Sequence, residues 1–508
     1  MSEKIVILPL DERPCNYNFS YMLGKETEFD IIRPKVSILG DKKSPGDIAA
    51  IHSWLLEETK DAYGVILSID TLLYGGIVPS RLHYYTIEEL EQSLNIIEKI
   101  RENNEDIKIF VFNLIMRNPT YSSADEEPDY YGEWGREIFL KGNLIHRKEL
   151  DIATKEELQQ LEEVEEKLPN EYFQDYISRR EINTEINLKV IDKVKSGVID
   201  FMIVPQDDAS PYGLTAKDQK KVRKYISEKN VALKVYMYPD ADAVANTLLV
   251  RMINAFKNLR PLIYVKYAST LAPSIIPSFE DRLLNETIKY QILAAGCLVT
   301  SCQSESDIVL LVNAPGGKML GCTQFNEKSI EYDAFRTLIE IVEYADYIIN
   351  VVKKPCVIAD VAFSNGSDQE LIQLMTAKGI LFDVAGYAGW NTSSNTLGTC
   401  IPQGIIYHIY GKTKSHIDFL GLRYVEDAGY CARIKSLVCE KYLPKYNYTY
   451  FNVEETQGVI AKYVNEELNN YISENLKDKD YEIVIKDCYM PWRRMFEVGL
   501  KVEVNRRV

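Results

Sequence analysis

Along the chain, short runs of aliphatic and β-branched residues alternate with longer stretches whose apolar positions recur every three or four residues. The clear strand-like runs are Ile5–Pro9, Gly64–Ile69, Ile107–Ile115, Phe201–Pro205, Leu233–Tyr238, Asp307–Asn313, Cys356–Val361 and Ile380–Ala385. Asp30–Ile32 and Leu262–Tyr267 are weaker ones. Strands that are apolar almost throughout belong to a sheet covered on both faces, and hence to parallel βα units. The eight clear runs predict an α/β protein, a (β/α)8 TIM-like barrel. The interval after the third run is too long for one crossover, so residues 119–197 are predicted to be an insertion. It carries a charged helical stretch from Lys148 to about Lys195, within which Lys155–Lys167 reads as a solvated acidic helix. Tyr130, Tyr131 and Trp134 are expected to wall the site. Past residue 420 the alternation weakens. Residues 1–420 are therefore expected to form the barrel, and residues 421–508 a small C-terminal α+β extension.

Polar residues gather where each apolar run stops. Asp11, Arg13 and Asn16 follow the first run, Asp70 and Tyr74 the second, and Arg117 the third. Gln206, Asp207 and Asp208 follow the fourth, and Asp240 and Asp242 the fifth. Asp360 and Asn365 follow the seventh, and Trp390 and Asn391 the eighth. Turn chemistry accounts for one or two such ends. It accounts poorly for Arg, Gln, Trp and paired aspartates at so many of them, and α/β folds place their sites at the C-terminal ends of strands. These residues are expected to share one site.

The adjacent carboxylates Asp207 and Asp208 are the strongest feature. Like charges side by side in a cleft push one carboxyl up until it holds a proton near neutrality. A protonated acid beside an ionised one is the equipment of glycoside hydrolysis. Both reach one cleft only if the strand has ended or bulges there. The plain alternative is a helix cap beside a solvent-facing aspartate. Arg13 suits a carboxylate, in the protein or on a ligand. Trp390 with its asparagines suits a sugar ring, or else sits in the core while Asn and Thr cap the next helix. The clustered aspartates would also suit Mg²⁺ or Mn²⁺.

Composition narrows the classes. The 508 residues carry 59 Lys and Arg against 75 Asp and Glu, a formal charge of −16. That balance argues against binding nucleic acid or an anionic membrane surface. No signal-peptide pattern opens the chain and no apolar run is long enough to cross a bilayer, so a cytoplasmic protein is expected. Nine scattered cysteines and five unclustered histidines suggest buried thiols rather than a zinc or histidine metal centre. Neither a Walker loop nor a G-x-G-x-x-G motif follows any strand, which disfavours nucleotide cofactors.

The segments Pro9–Asn16 (P-L-D-E-R-P-C-N), Ser68–Arg81 (opening S-I-D-T-L-L-Y-G-G), Gln206–Gly213 (Q-D-D-A-S-P-Y-G) and Ala388–Gly398 (opening A-G-W-N-T) together resemble a bacterial domain-of-unknown-function family over most of the chain. Locally, the Asp-Asp pair is similar to that of retaining N-acetylglucosaminidases of the O-GlcNAcase class. There the substrate's acetamido group is the nucleophile, which would make Asp207 the orienting carboxylate and Asp208 the acid/base. The flanking Val-Pro-Gln and Ala-Ser-Pro-Tyr-Gly depart from that class. The expectation is an enzyme, a glycoside hydrolase that cleaves a small amino-sugar (N-acetylhexosamine-type) glycoside and needs no cofactor. Asp207 and Asp208 would be catalytic and the other strand-end residues would bind the sugar. A Mg- or Mn-dependent hydrolase and a non-catalytic carbohydrate-binding protein are the alternatives.

Overall fold

The computed structural model describes residues 3–507. They divide into two compact units, one of residues 3–12, 30–244 and 279–281, the other of residues 13–29, 245–278 and 282–507. The boundary expected near residue 420 falls inside the second unit.

The first unit is built on β1 (Glu3–Leu8), β2 (Phe29–Ile32), β3 (Gly64–Ser68), β4 (Lys108–Phe112), β5 (Phe201–Gln206) and β6 (Val235–Pro239). They form one sheet in the order β2-β1-β3-β4-β5-β6. The pairs β1/β3, β3/β4, β4/β5 and β5/β6 are parallel. β3 and β5 are buried at every position, as a sheet covered on both faces requires.

The second unit contains β7 (Leu262–Tyr267), β8 (Leu298–Thr300), β9 (Ile308–Asn313), β10 (Leu320–Gly321), β11 (Cys356–Asp360), β12 (Phe363–Ser364) and β13 (Gly386–Ala388). Five of them form a parallel sheet in the order β13-β11-β9-β7-β8, and β10 pairs with β12. An antiparallel hairpin, β14 (Tyr481–Tyr489) and β15 (Gly499–Arg506), lies near the C-terminal end.

The α/β class and its parallel strands are as expected. The closed ring of eight strands finds no confirmation, because the strands pair in ladders of six and five. Counted from its own first strand, each ladder runs 2-1-3-4-5, with a sixth strand added in the first unit. That is a doubly wound order, which binds ligands beyond the carboxyl ends of its strands.

Both weaker strand candidates are strands. Ile380–Ala385 is not: it is a buried turn after the left-handed Gly379, and the strand begins at Gly386. The insertion holds three helices, Tyr131–Glu149, Lys155–Lys167 and Asn170–Ser196. Tyr131 is fully buried in a core with Ile138, Val164, Phe173 and Tyr176, against which Tyr130 and Trp134 pack. These aromatics hold the insertion together and do not form the wall expected of them, because three amphipathic helices need a core of their own.

Candidate functional site

In the first unit, β5 ends at Gln206 and the next helix begins only at Leu214, with Gly213 at its N-cap. Asp207 and Asp208 therefore lie in a turn, free of the strand's alternation, and neither caps the helix. Asp208 has φ +41°, a conformation that costs energy in a residue with a Cβ. Two arginines meet this turn. Arg81 reaches Asp207 at 2.7 Å, Glu126 at 2.9 Å and Glu127 at 3.4 Å. Arg117 reaches Glu127 at 2.8 Å, Glu126 at 3.3 Å and Asp208 at 3.5 Å. Four carboxylates thus share two cations.

The two aspartates are not equivalent. The Asp207 side chain is 14% exposed and that of Asp208 is 28% exposed. Burial, and then the charge of Asp207, raise the Asp208 carboxyl to about 7, outweighing Arg117 and Arg81. Tyr121, half exposed, stands close enough to feel the charges of Arg117 and Asp208.

The insertion's long helix positions both arginines. From one face, Asn183 donates to the Ser80 carbonyl at 2.9 Å and Arg179 to the His83 carbonyl at 3.0 Å. Tyr176 and Arg180 donate to the Arg117 carbonyl, each at 2.8 Å, and Asn187 donates to the Asn113 side-chain oxygen. Residues 176, 179, 180, 183 and 187 recur at helical spacing, so a single stripe holds the backbone on either side of Arg81 and at Arg117. Gly75, at φ +80°, ends the helix Ile69–Tyr74 ahead of Arg81. A Cβ there would stand 2.5 Å from the Gly46 backbone nitrogen.

Asp70 and Asp240 are committed locally. Asp70 accepts from the Leu114 amide at 3.1 Å and from Asn113, and burial raises it to about 6. Asp240 accepts from the amides of Ala241 and Ala243. Asp11, Gln206 and Asp242 are buried, and Tyr74 packs on His83 with its hydroxyl unpaired. Among the described residues no group of three or more His, Cys, Asp or Glu side chains is placed to hold a metal ion. Around Asp207 and Asp208 the positive charge comes from Arg81 and Arg117.

The remaining expected residues, Arg13, Asn16, Asp360, Asn365, Trp390 and Asn391, belong to the second unit. Asp360 lies in a closed interior network. It accepts from Asn313 at 2.9 Å, from the Asp368 amide at 2.8 Å and from the Tyr387 hydroxyl at 3.0 Å. Arg336 pairs with Asp368 at 2.6 Å, both side chains almost without exposure. Burial and then Asp368 raise Asp360 to about 7. Asn16 is buried beside Cys15.

Arg13, Asn365, Trp390 and Asn391 line one narrow cleft together. Trp390 is a core residue at that cleft's edge. It is 7% exposed, meets Phe19 edge-to-face at 5.8 Å and donates from Nε1 to Thr399 at 3.1 Å. Thr392 caps the helix that follows. None of the nine cysteines is in a disulfide, and six of them are buried.

Glu126 and Glu127 were not among the residues expected at the site, and Arg81 entered only as the end of the segment Ser68–Arg81. The adjacent acids at 126 and 127, opposite Arg117, were the available signal. No helix among the described residues is long and apolar enough to cross a membrane. No curated protein matches the chain. A family model described as "Protein of unknown function (DUF4127)" matches residues 5–501, and the chain belongs to that family.

Proposed function

We propose that the protein is an acid–base hydrolase in which Asp208 is the general acid/base and Asp207 its arginine-paired partner, acting on a small N-acetylhexosamine-type glycoside. The observation that carries this reading is the unequal setting of two neighbouring carboxyls. Asp207 is paired with Arg81, while Asp208 is more exposed and keeps a proton near neutrality. Environments that drive adjacent acids apart are the usual basis of such a division of labour. The substrate's acetamido oxygen, oriented by Asp207, would bond to the anomeric carbon as Asp208 gives its proton to the leaving glycosidic oxygen. Water would then open that cyclic intermediate at the same carbon and return a proton to Asp208. Arg117 would limit how far the Asp208 carboxyl rises.

The test is turnover of chromogenic N-acetylhexosaminides by the full-length chain. Activity should fall as pH rises through about 7, where Asp208 loses its proton. Asp208→Asn should abolish turnover while leaving the circular dichroism spectrum unchanged. Full activity in Asp208→Asn, or a wild-type profile that rises through that pH, would remove the assignment.

A further inference from the structure

The narrow cleft of the second unit holds a cation that makes no ion pair among the described residues. Lys435 lines it and is only 8% exposed. Its Nζ lies 5.6 Å from the centroid of the Phe496 ring, and no carboxylate among the described residues stands within ion-pairing distance. The two acids that also line the cleft are already engaged. Glu426 pairs with Arg423, and Glu497 pairs with Arg494 at 3.0 Å. Burial works to lower the Lys435 amine, yet its surroundings, Cys431, Tyr450, Cys322 and the Glu497 carboxylate, leave it net raised, so it stays a cation. A buried ammonium without a counter-charge is costly, and an anion from solution removes that cost.

The local backbone supports a built site. Tyr424–Ile434 is a π-helix between the helices Lys414–Arg423 and Lys435–Lys441. Its i→i+5 bonding stacks residues five apart, and Glu426 and Cys431, five apart, both line the cleft. An α-helix would turn one about 140° from the other. Such stretches are rare and concentrate at functional sites. Opposite them, Asn365 and Asn391 are left-handed, at φ +65° and +49°, and the Asn365 amide donates to the Asn391 carbonyl at 2.8 Å.

We propose that this cleft binds a small oxyanion, a carboxylate or a phosphate, with one oxygen paired to Lys435 Nζ and the Asn365 side chain available to its other polar groups; Asn391, which donates to Asn395 at 2.7 Å, holds the wall beside it. The proposal does not rest on the roles of Asp207 and Asp208.

Calorimetric titration of the full-length chain, in separate arms with acetate and with inorganic phosphate against a constant chloride background, tests it. Saturable one-to-one binding is expected in at least one arm, and the tighter arm identifies the anion. Lys435→Met should weaken that binding at least tenfold, while Lys435→Arg keeps it within a few-fold of wild type. Lys435→Gln replaces the Met variant should that one fail to fold. Absence of binding in both arms, or wild-type affinity in the charge-free variant, overturns the proposal.

Discussion

The two units order their parallel strands alike and then use acidic residues at the strand ends in opposite ways. In the first unit, Asp207 and Asp208 stand in a turn with partial exposure, held by arginines that each serve several carboxylates. In the second, Asp360 and Asp368 are sealed inside, accepting from Asn313, the Asp368 amide and Arg336, whose side chain is 1% exposed. A shared topology therefore places carboxylates at strand ends, but their surroundings decide whether they stay available for chemistry or lock the core. Buried, fully paired acids specify structure even where one carboxyl is raised, whereas a partly exposed pair can exchange protons with solvent.

Breaking a cation in each unit tests this contrast most strongly. Arg336→Met strands Asp368 in the interior, and urea unfolding should show a loss of about 3–5 kcal/mol. Arg117→Met should cost visibly less, because Arg81 still reaches Glu126 and Glu127. Equal losses would erase the distinction.

A smaller effect is expected from the stripe that holds the first unit's arginines. Asn183→Ala removes the bond to the Ser80 carbonyl and the 2.8 Å contact with His83 Nε2. The expected loss is about 1–3 kcal/mol, together with a disproportionate drop in turnover if Arg81 shifts. A stability loss with unaltered kcat would confine the stripe to a structural role.

A graded probe is pH. Asp208 and Asp360 both sit at about 7 in the folded chain, against an ordinary 3.8. The native state therefore holds protons that the unfolded chain releases. Their stabilising contribution is complete below about pH 4 and is lost as pH rises through 7, each group adding a slope of up to about 1.4 kcal/mol per pH unit. Asp208→Asn should remove its own share of that slope and leave the share of Asp360. A slope unchanged in Asp208→Asn would contradict the raised carboxyl.

Much of this was legible along the chain. Seven of the eight clear apolar runs contain or overlap strands, since a strand buried on both faces must be apolar at nearly every position. Ile380–Ala385 misled because a buried turn demands the same composition. β8 escaped because it is a short edge strand with partly exposed side chains. Asp207 and Asp208 stood out as charges ending an apolar run. The stripe from Tyr176 to Asn187 did not, because polar residues at helical spacing look like a solvated face, and only the packing shows that they donate to backbone carbonyls. Lys435 was hidden for the same reason.

Local composition alone determined where most strands begin and end, which positions are core, and which polar residues crown the strand ends, because each depends on whether a segment is wetted or buried. Tertiary structure decided that the strands pair as ladders of six and five, and that Arg81, Glu126 and Glu127 join Asp207 and Asp208. Parallel pairing links segments far apart in the chain, and one apolar run offers the same backbone hydrogen bonds as another. Its partner is therefore chosen by the packing of the whole.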